Sequence, residues 1–122
     1  MMRQHNLRIL FFLLVFWGVA VACSRREARF RIGVSQCSED EWRRRMNSEI
    51  LREAHFYEDV EVDIRTAVDD NDRQAEDIRE LIAEGVDLLI VAPNEAAPIT
   101  PVVEEAYNRG IPVIVIDRKI LS

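Results

Sequence analysis

The chain has 122 residues, with 22 acidic and 16 basic side chains and a net charge of −6 at pH 7. This acidic balance argues against binding to nucleic acid or to anionic lipid, both of which select positive surfaces. The two histidines and two cysteines lack the spacing of a metal site, so we expect no metal ligands and no cofactor. The length suits one small domain or part of a larger one.

The N-terminus has the pattern of an export signal. Arg3 and Arg8 precede an uncharged apolar stretch over residues 9–22. This stretch is short for a membrane span, which needs about 20 apolar residues, and it fits the apolar core of a signal peptide. An uncleaved membrane anchor is the alternative, because Arg25 and Arg26 directly beyond the stretch suit an anchor.

The small residues at the end of the apolar stretch favour cleavage before Cys23, as at a bacterial lipoprotein junction. Lipid attachment at Cys23 and cleavage without a lipid are both open alternatives. Without a lipid, Cys23 is able to form a disulfide bond with Cys37 in an oxidising compartment. A small packing residue is the preferred role for Cys37. We therefore expect a signal peptide over 1–22, a short linker over 23–29 and a periplasmic domain over 30–122, with or without a membrane anchor.

The first predicted unit of this domain is a strand followed by a helix. Residues 30–35 predict the strand. Ser38 and Glu41 predict a capping box at the start of a helix that runs to about residue 57. The apolar face of this helix is predicted to comprise Trp42, Met46, Ile50, Ala54 and Tyr57, with Arg43, Arg44 and Arg45 largely off it.

The second predicted unit repeats the pattern. Residues 60–68 begin as an alternation of apolar and charged side chains, which predicts a strand at the edge of a sheet. Asn71 and Gln74 predict a second capping box, and the helix that they start is predicted to end at Gly85. The apolar face of this helix is predicted to comprise Ala75, Ile78, Leu81 and Ile82.

Two further strands complete the predicted α/β fold. Gly85 and Gly110 each end a predicted helix and lead directly into an apolar run, the second over residues 111–116. Such continuous runs predict buried parallel strands. Thr100 and Pro101 predict the start of the helix between them, whose apolar face comprises Val102, Val103, Ala106 and Tyr107. The order βαβαβαβ predicts a parallel sheet of four strands.

The loops after the strands of such a sheet share one rim, where open α/β sheets bind ligands. The first loop places Glu39, Asp40 and Glu41 at a helix start, where they complement the helix dipole and repel an anion. Asp117 and Arg118 follow the last strand directly. A carboxylate accepts hydroxyl protons and a guanidinium donates in a fixed fork, so this rim favours a neutral ligand rich in hydroxyl groups.

From about residue 30 onward the chain resembles the first part of the type I periplasmic sugar-binding proteins, the group that includes ribose-binding proteins and the sensor half of lac-type repressors. The resemblance is carried by residues 31–35, by Pro93-Asn94 and above all by residues 110–118. Residues 35–43 most resemble the periplasmic sensor domains of hybrid two-component histidine kinases, which detect carbohydrates. The resemblance implies a periplasmic-binding-protein-like type I fold, of which this chain holds part of the N-terminal lobe.

The resemblance also implies which residues contact a ligand. It assigns hydrogen bonds with sugar hydroxyls to Asp117 and Arg118, a role that we favour over a mutual surface ion pair. The family's stacking aromatic has its nearest counterpart in Trp42, although Trp42 lies inside the first helical turn and core packing is the slightly preferred role. Asn94 is a further candidate contact, but a cap or turn role is preferred for Asn94 and Asp69.

The resemblance implies a truncated carbohydrate-binding periplasmic domain, the ligand-sensing part of a hybrid two-component sensor, with a neutral polyhydroxylated sugar as partner. The substrate-binding component of a sugar ABC transporter is the alternative. A receiver domain is a weaker alternative, because Ser35-Gln36 and Ala92-Pro93 stand where a receiver needs acids. A hydrolase on a parallel sheet would need a Gly-x-Ser-x-Gly elbow, which this chain lacks. We therefore expect no enzymatic activity from this chain, although its parent could be a sensor kinase. We also expect weak or absent sugar binding, because one partial lobe does not enclose a ligand.

Overall fold

The structure is a computed structural model that describes residues 30–121, and within them strands and helices alternate as predicted. The elements in chain order are β1 Phe30–Gln36, α1 Glu41–Ala54, β2 Val60–Thr66, α2 Asn71–Ala83, β3 Leu88–Ala92, α3 Ala96–Asn108 and β4 Val113–Val115. The predicted signal peptide, the linker and Cys23 lie outside the described residues.

All pairings in the sheet are parallel, and the strand order is β2-β1-β3-β4. Val34 lies opposite Ile64 of β2 on one side and Ile90 of β3 on the other, and Ile90 lies opposite Ile114 of β4. The four-stranded parallel sheet and the edge position of β2 are therefore confirmed. The strand order reverses between β1 and β3, and a reversal of this kind opens a crevice at the carboxyl ends of the strands.

The two faces of β1 contact different helices. On one face, Gln36 donates a hydrogen bond from Nε2 to Asn47 Oδ1 of α1 at 2.7 Å. On the other face, a β-carbon added at Gly33 would lie 3.2 Å from both Leu81 Cδ1 and Val86 Cγ1. The missing side chain of Gly33 thus lets α2 pack closely on the centre of the sheet.

The main hydrophobic core lies between the sheet and the helix pair α2 and α3. Leu81, Leu89 and Ile99 are fully buried in it. The predicted apolar face of α2 is confirmed, because Ile78, Leu81 and Ile82 are buried and Ala75 packs against them. Helix α3 contributes Val102, Val103 and Ala106 as predicted, but Tyr107 is 73% exposed and was wrongly assigned to that face.

The first two helices begin at neighbours of the predicted caps. Asp40, not Ser38, caps α1 by accepting a hydrogen bond from the backbone N–H of Arg43 at 2.9 Å. Asp70, not Asn71, caps α2 in the same way through Arg73. Aspartate and serine or asparagine cap helices about equally well, so several adjacent candidates left the start of each helix ambiguous by one or two residues.

Helix α3 begins five residues before the predicted start, at Ala96 and not at Pro101. Its N-cap is Glu95, and Pro101 lies inside the helix. Thr100 is no cap: its hydroxyl donates to the carbonyl of Ala96 at 2.7 Å and accepts from the backbone N–H of Leu121 at 2.9 Å. Pro98 lies in the first turn of α3, where a backbone N–H has no intrahelical acceptor, so the lack of an N–H in proline costs nothing there. Pro98 was therefore a better marker of the helix start than Pro101.

Strand β4 is shorter and more exposed than predicted. It covers three residues at the edge of the sheet, and Ile114 is 47% exposed. Val113 and Val115 pack toward the main core, but the opposite face of β4 is not covered by a described helix. A buried strand needs cover on both faces, and among residues 30–121 only one face of β4 is covered. The prediction of a buried strand over residues 111–116 was therefore wrong.

The predicted glycine turns are confirmed. Gly85 and Gly110 have φ values of 78° and 83°, the left-handed conformation that ends α2 and α3. Cys37 is buried at 1% exposure, as expected of a packing residue. Within residues 30–121, no helix has the length and apolar character that a membrane crossing requires.

Candidate functional site

The carboxyl ends of the four strands form one rim, and hydrogen bonds tie its loops together. The loop after β2 is held against the end of β1, because Ala67 N–H donates to the Gln36 carbonyl at 2.9 Å and Asp69 N–H donates to the Cys37 carbonyl at 2.6 Å. Val68 and Asp69 in this loop have positive φ values of 48° and 63°. The chain therefore bends sharply here, which explains why β2 ends before residue 68.

Asp117 lies at this rim in a strained turn. Ile116 N–H still bonds to the carbonyl of Val91, so the chain leaves the sheet at Asp117. Arg118 N–H then donates back to the Ile116 carbonyl at 2.8 Å, and Asp117 between them has a φ of 67°. This is the pattern of a three-residue γ-turn in its rarer, strained form. The three non-glycine residues with positive φ among residues 30–121 all lie on this rim, and such strain concentrates at functional sites.

Arg43 bridges two carboxylates of the rim. Its Nη1 donates to Asp40 and its Nη2 donates to Asp117, 74 residues further along the chain. Arg43 is only 8% exposed, although it lies on the first turn of a surface helix. Burial opposes its charge, but the hydrogen bond with Asp40 and the negative groups around it outweigh that effect and raise the pKa of Arg43.

Asp40 is the most strongly stabilised carboxylate of the rim. The backbone N–H of Arg43, the Ser38 hydroxyl and the Arg43 guanidinium all donate to it. These bonds favour the ionised form and lower the pKa of Asp40 from 3.8 to about 2. The two bonds with Arg43 fix the guanidinium relative to the start of α1.

The burial pattern of α1 shows that Trp42 and Arg43 exchange their predicted places. Trp42 is 56% exposed, so core packing was the wrong preference for it. Its ring lies beside the rim, with its centroid 5.7 Å from the guanidinium carbon of Arg43, which is cation–π distance. Arg43 takes the inward position because its guanidinium has two carboxylate partners there. A stacking role for Trp42 stays a prediction.

Asn94 is fixed at the rim by a buried glutamine. Gln74 is completely buried; its Oε1 accepts from Asn94 N–H at 2.9 Å, and its Nε2 donates to the Ala92 carbonyl at 2.9 Å and to Ser35 Oγ at 3.1 Å. The side chain of Asn94 donates from Nδ2 to Asn71 Oδ1 at 2.9 Å. Asn94 does not cap α3, and its network joins the loops at the crevice between β1 and β3.

Arg118 reaches across the rim to this second network, because its Nη1 donates to the carbonyl of Asn94. Asp117 bonds to Arg43 instead, so the two residues contact different neighbours and do not form the mutual ion pair considered above. The structure thus brings Asp117, Arg118 and Asn94 together at one rim, with Trp42 beside Arg43. The sequence analysis did not identify Arg43 and Gln74 as site residues. The spacing of Asp40 and Arg43, three residues apart on a helix, was a signal that these two side chains form an ion pair.

The rim carries hydrogen-bonding groups whose charges are largely matched. Carboxylates and amides line its loops, and the charge of Arg43 is matched by Asp40 and Asp117. Glu41 adds a further acid in the first turn of α1, which disfavours an anion there. Among residues 30–121, no group of histidine, cysteine or acidic side chains is arranged to hold a metal ion.

Comparison with known proteins agrees with this architecture. The sequence profile of a family described as "Periplasmic binding protein domain" matches residues 32–122. The solved structure of the fructose-binding periplasmic domain of the hybrid two-component system BT1754 superposes with a TM-score of 0.75 and is 68% identical in sequence. That match covers 76% of this chain and 31% of the other.

Two further relatives match at lower identity. The galactofuranose-binding protein YtfQ of Escherichia coli (strain K12) is 32% identical over 110 residues, which are 88% of this chain and 35% of YtfQ. The ribose import binding protein RbsB of Bacillus subtilis (strain 168) is 39% identical over 59 residues, which are 48% of this chain and 19% of RbsB. This chain therefore spans about a third of its relatives' length or less.

Periplasmic binding protein domains are binding modules without enzymatic activity, and the family implies a periplasmic location. The profile match covers most of the chain, and the four-stranded parallel sheet matches part of one lobe of the solved relatives. The chain belongs to the periplasmic binding protein domain family.

Proposed function

We propose that this chain is the first part of a periplasmic sugar-sensing domain whose rim binds a neutral sugar through Asp117 and Arg118. The observation that carries the proposal is the position of this pair. Both residues lie at the carboxyl ends of the strands, where open α/β sheets bind ligands, and each is held by a different partner, Arg43 or Asn94. A half-exposed carboxylate and an exposed guanidinium held in this way are suited to sugar hydroxyls.

The charge of the rim supports a neutral sugar over a phosphorylated one. Phosphate sites use bare helix N-termini and glycine-rich turns. Here Asp40 and Asp70 occupy the N-caps of α1 and α2, so two helix N-termini of the rim already carry a carboxylate. The Arg43 guanidinium is engaged by two acids, which leaves its charge balanced.

A sensor role is supported by the 68% identity to the sensor domain named above, and that relative makes D-fructose the first sugar to test. In this proposal, the parent protein is a hybrid two-component kinase, and residues 1–22 export the domain. The alternative is the binding component of a sugar ABC transporter, which the import protein of Bacillus subtilis supports at lower identity. Lipid attachment at Cys23 would fit either role.

Trp42 and Asn94 are proposed as additional contacts. The exposed ring of Trp42 stands beside the rim, where an aromatic face is able to stack on the apolar face of a sugar. The side chain of Asn94 is already bonded to Asn71, so its contribution requires either a second acceptor site on its carbonyl oxygen or exchange of that bond.

The test is a calorimetric and NMR titration of the chain with D-fructose and, as matched control, with fructose 6-phosphate. We expect saturable binding of D-fructose with a millimolar dissociation constant, about −4 kcal/mol, because a partial lobe neither encloses the sugar nor excludes water. Fructose 6-phosphate should bind more weakly. Tighter binding of the phosphorylated sugar would overturn the proposal of a neutral ligand, and micromolar affinity for either sugar would overturn the half-site interpretation.

A further inference from the structure

Asp117 needs a partner to hold its conformation. Its φ of 67° is unfavourable for a residue with a β-carbon, and it lies at the centre of a γ-turn after a strand of only three residues. Conformations of this kind persist only where the surroundings fix them. The turn itself supplies one hydrogen bond, from Arg118 N–H to the Ile116 carbonyl.

Arg43 is the group that meets this need. Its guanidinium contacts the Asp117 carboxylate from the opposite side of the crevice, through Nη2 and Oδ2. The guanidinium is in turn fixed by Asp40, which also accepts from the backbone N–H of Arg43 and from Ser38. Arg43 is therefore tied to Asp40 at the start of α1 by two hydrogen bonds, and Asp40 is itself held by Ser38.

A purely stabilising role does not explain this arrangement well. The buried arginine must offset the loss of its hydration, and its carboxylate partners are 33% and 44% exposed, so the net contribution of these ion pairs to stability is small. Arg43 lies in the first turn of α1 beside the rim, is 8% exposed, and contacts the one aspartate for which a ligand role is proposed. Its burial also means that a sugar at the rim would meet Asp117, not Arg43.

We propose that Arg43 is the positioning residue of the rim: it holds the Asp117 turn and turns the carboxylate so that Oδ2 faces α1 and Oδ1 is presented to the ligand. The part that concerns the ligand rests on the proposed function, whereas the part that concerns the turn does not. A planar guanidinium bonds to two carboxylates at once, so lysine, with the same charge but no fork, is not an adequate replacement.

The first experiment needs no sugar. Hydrogen exchange of the Arg118 amide reports on the γ-turn, because that N–H donates to Ile116. In Arg43→Lys and Arg43→Met, exchange at Arg118 should accelerate by about tenfold, as expected for loss of one charge-assisted hydrogen bond. Exchange of the Leu89 amide, which joins buried β3 to the start of β4 through the Pro112 carbonyl, should stay unchanged and so show that the sheet is intact. The matched control Arg45→Lys, at an exposed position of the same helix, should behave as the wild type.

Unchanged exchange at Arg118 in both Arg43 variants would overturn the positioning role. If Arg43→Met fails to fold, Arg43→Lys alone decides, since it keeps the charge. The second experiment repeats the D-fructose titration: Arg43→Lys should weaken binding by about tenfold, whereas Arg45→Lys should not. Equal affinity in wild type and Arg43→Lys would overturn the presentation of Oδ1 to the ligand. Absence of binding in every protein, together with accelerated exchange at Arg118, would overturn the proposed function and leave the positioning role supported.

Discussion

Gln74 Oε1 accepts a hydrogen bond from the backbone N–H of Asn94 at 2.9 Å, 20 residues away along the chain. The same side chain donates to the Ala92 carbonyl, so one buried amide satisfies both an N–H and a carbonyl of the loop after β3. This loop therefore has a fixed shape at the crevice between β1 and β3. Its carbonyl at Asn94 is the acceptor that orients Arg118.

We expect Gln74→Met to lower the free energy of unfolding by about 2–4 kcal/mol, because it leaves the buried carbonyl of Ala92 and the partly buried N–H of Asn94 without their side-chain partner. Urea denaturation measures the change. Glu76→Met on the exposed side of the same helix serves as the control and should change stability by about 0.5 kcal/mol or less. A loss at Gln74 no larger than that of the control would show that the amide does not hold the loop.

Val68 should be a position where substitution stabilises the domain. This β-branched residue has a φ of 48° and is 60% exposed, so strain is relieved and little burial is lost when it is replaced. Val68→Asn should raise the free energy of unfolding by about 1 kcal/mol, because asparagine tolerates the left-handed conformation. Thermal denaturation measures the effect. Val60→Asn, in the regular conformation of β2, is the control and should destabilise; a lower melting temperature for Val68→Asn would contradict the strained turn.

Trp42→Ala tests the exposed position of the indole. Loss of an exposed cation–π contact should cost about 0.5–1 kcal/mol of stability, whereas truncation of a core tryptophan costs about 3–5 kcal/mol. Leu89→Ala, at a fully buried position of β3, gives the scale for a core truncation and should cost about 2–5 kcal/mol. A loss at Trp42 as large as that at Leu89 would restore the core-packing interpretation.

The depressed pKa of Asp40 predicts a specific acid sensitivity. The unfolded chain titrates near 3.8 and the folded chain near 2, so the stabilisation by ionised Asp40 is complete above 3.8 and is lost as the pH falls through about 2. Asp40→Asn and Asp40→Ser keep a helix cap but remove the titration. The difference in unfolding free energy between wild type and each variant should therefore shrink from pH 5 toward pH 2. A difference that is constant over this interval would contradict the hydrogen-bonded carboxylate.

Much of the fold followed from the spacing of apolar residues. The alternation in β2 predicted its edge position, and the glycines at 85 and 110 predicted the turns, because each signal has one physical cause. Helix starts were less predictable, since Ser38 and Asp40 are both good caps, and the structure shows that Asp40 is the one that accepts from the Arg43 backbone N–H. The exposure of Ile114 was not predictable either, because the apolar character of a strand does not show which of its two faces a helix covers.

The candidate site also has a part that was predictable from the sequence and a part that was not. The rim position of Asp117 followed from the strand that precedes it, and the structure places it there. Arg43 was assigned to solvent because charged residues on a surface helix normally lie there. Its inward position depends on a carboxylate 74 residues away, a long-range contact that spacing within the helix does not show.

The most direct test of the proposed sugar site is a residue-resolved NMR titration of the ¹⁵N-labelled chain with D-fructose. We expect saturable shift changes at the amides of Asp117, Arg118 and Asn94 and at the Trp42 indole. Asp117→Asn should reduce the affinity, whereas the exposed control Asp59→Asn at the opposite end of the sheet should not. Shift changes confined to the amino ends of the strands, or none at the rim at saturating sugar, would contradict the proposed sugar site.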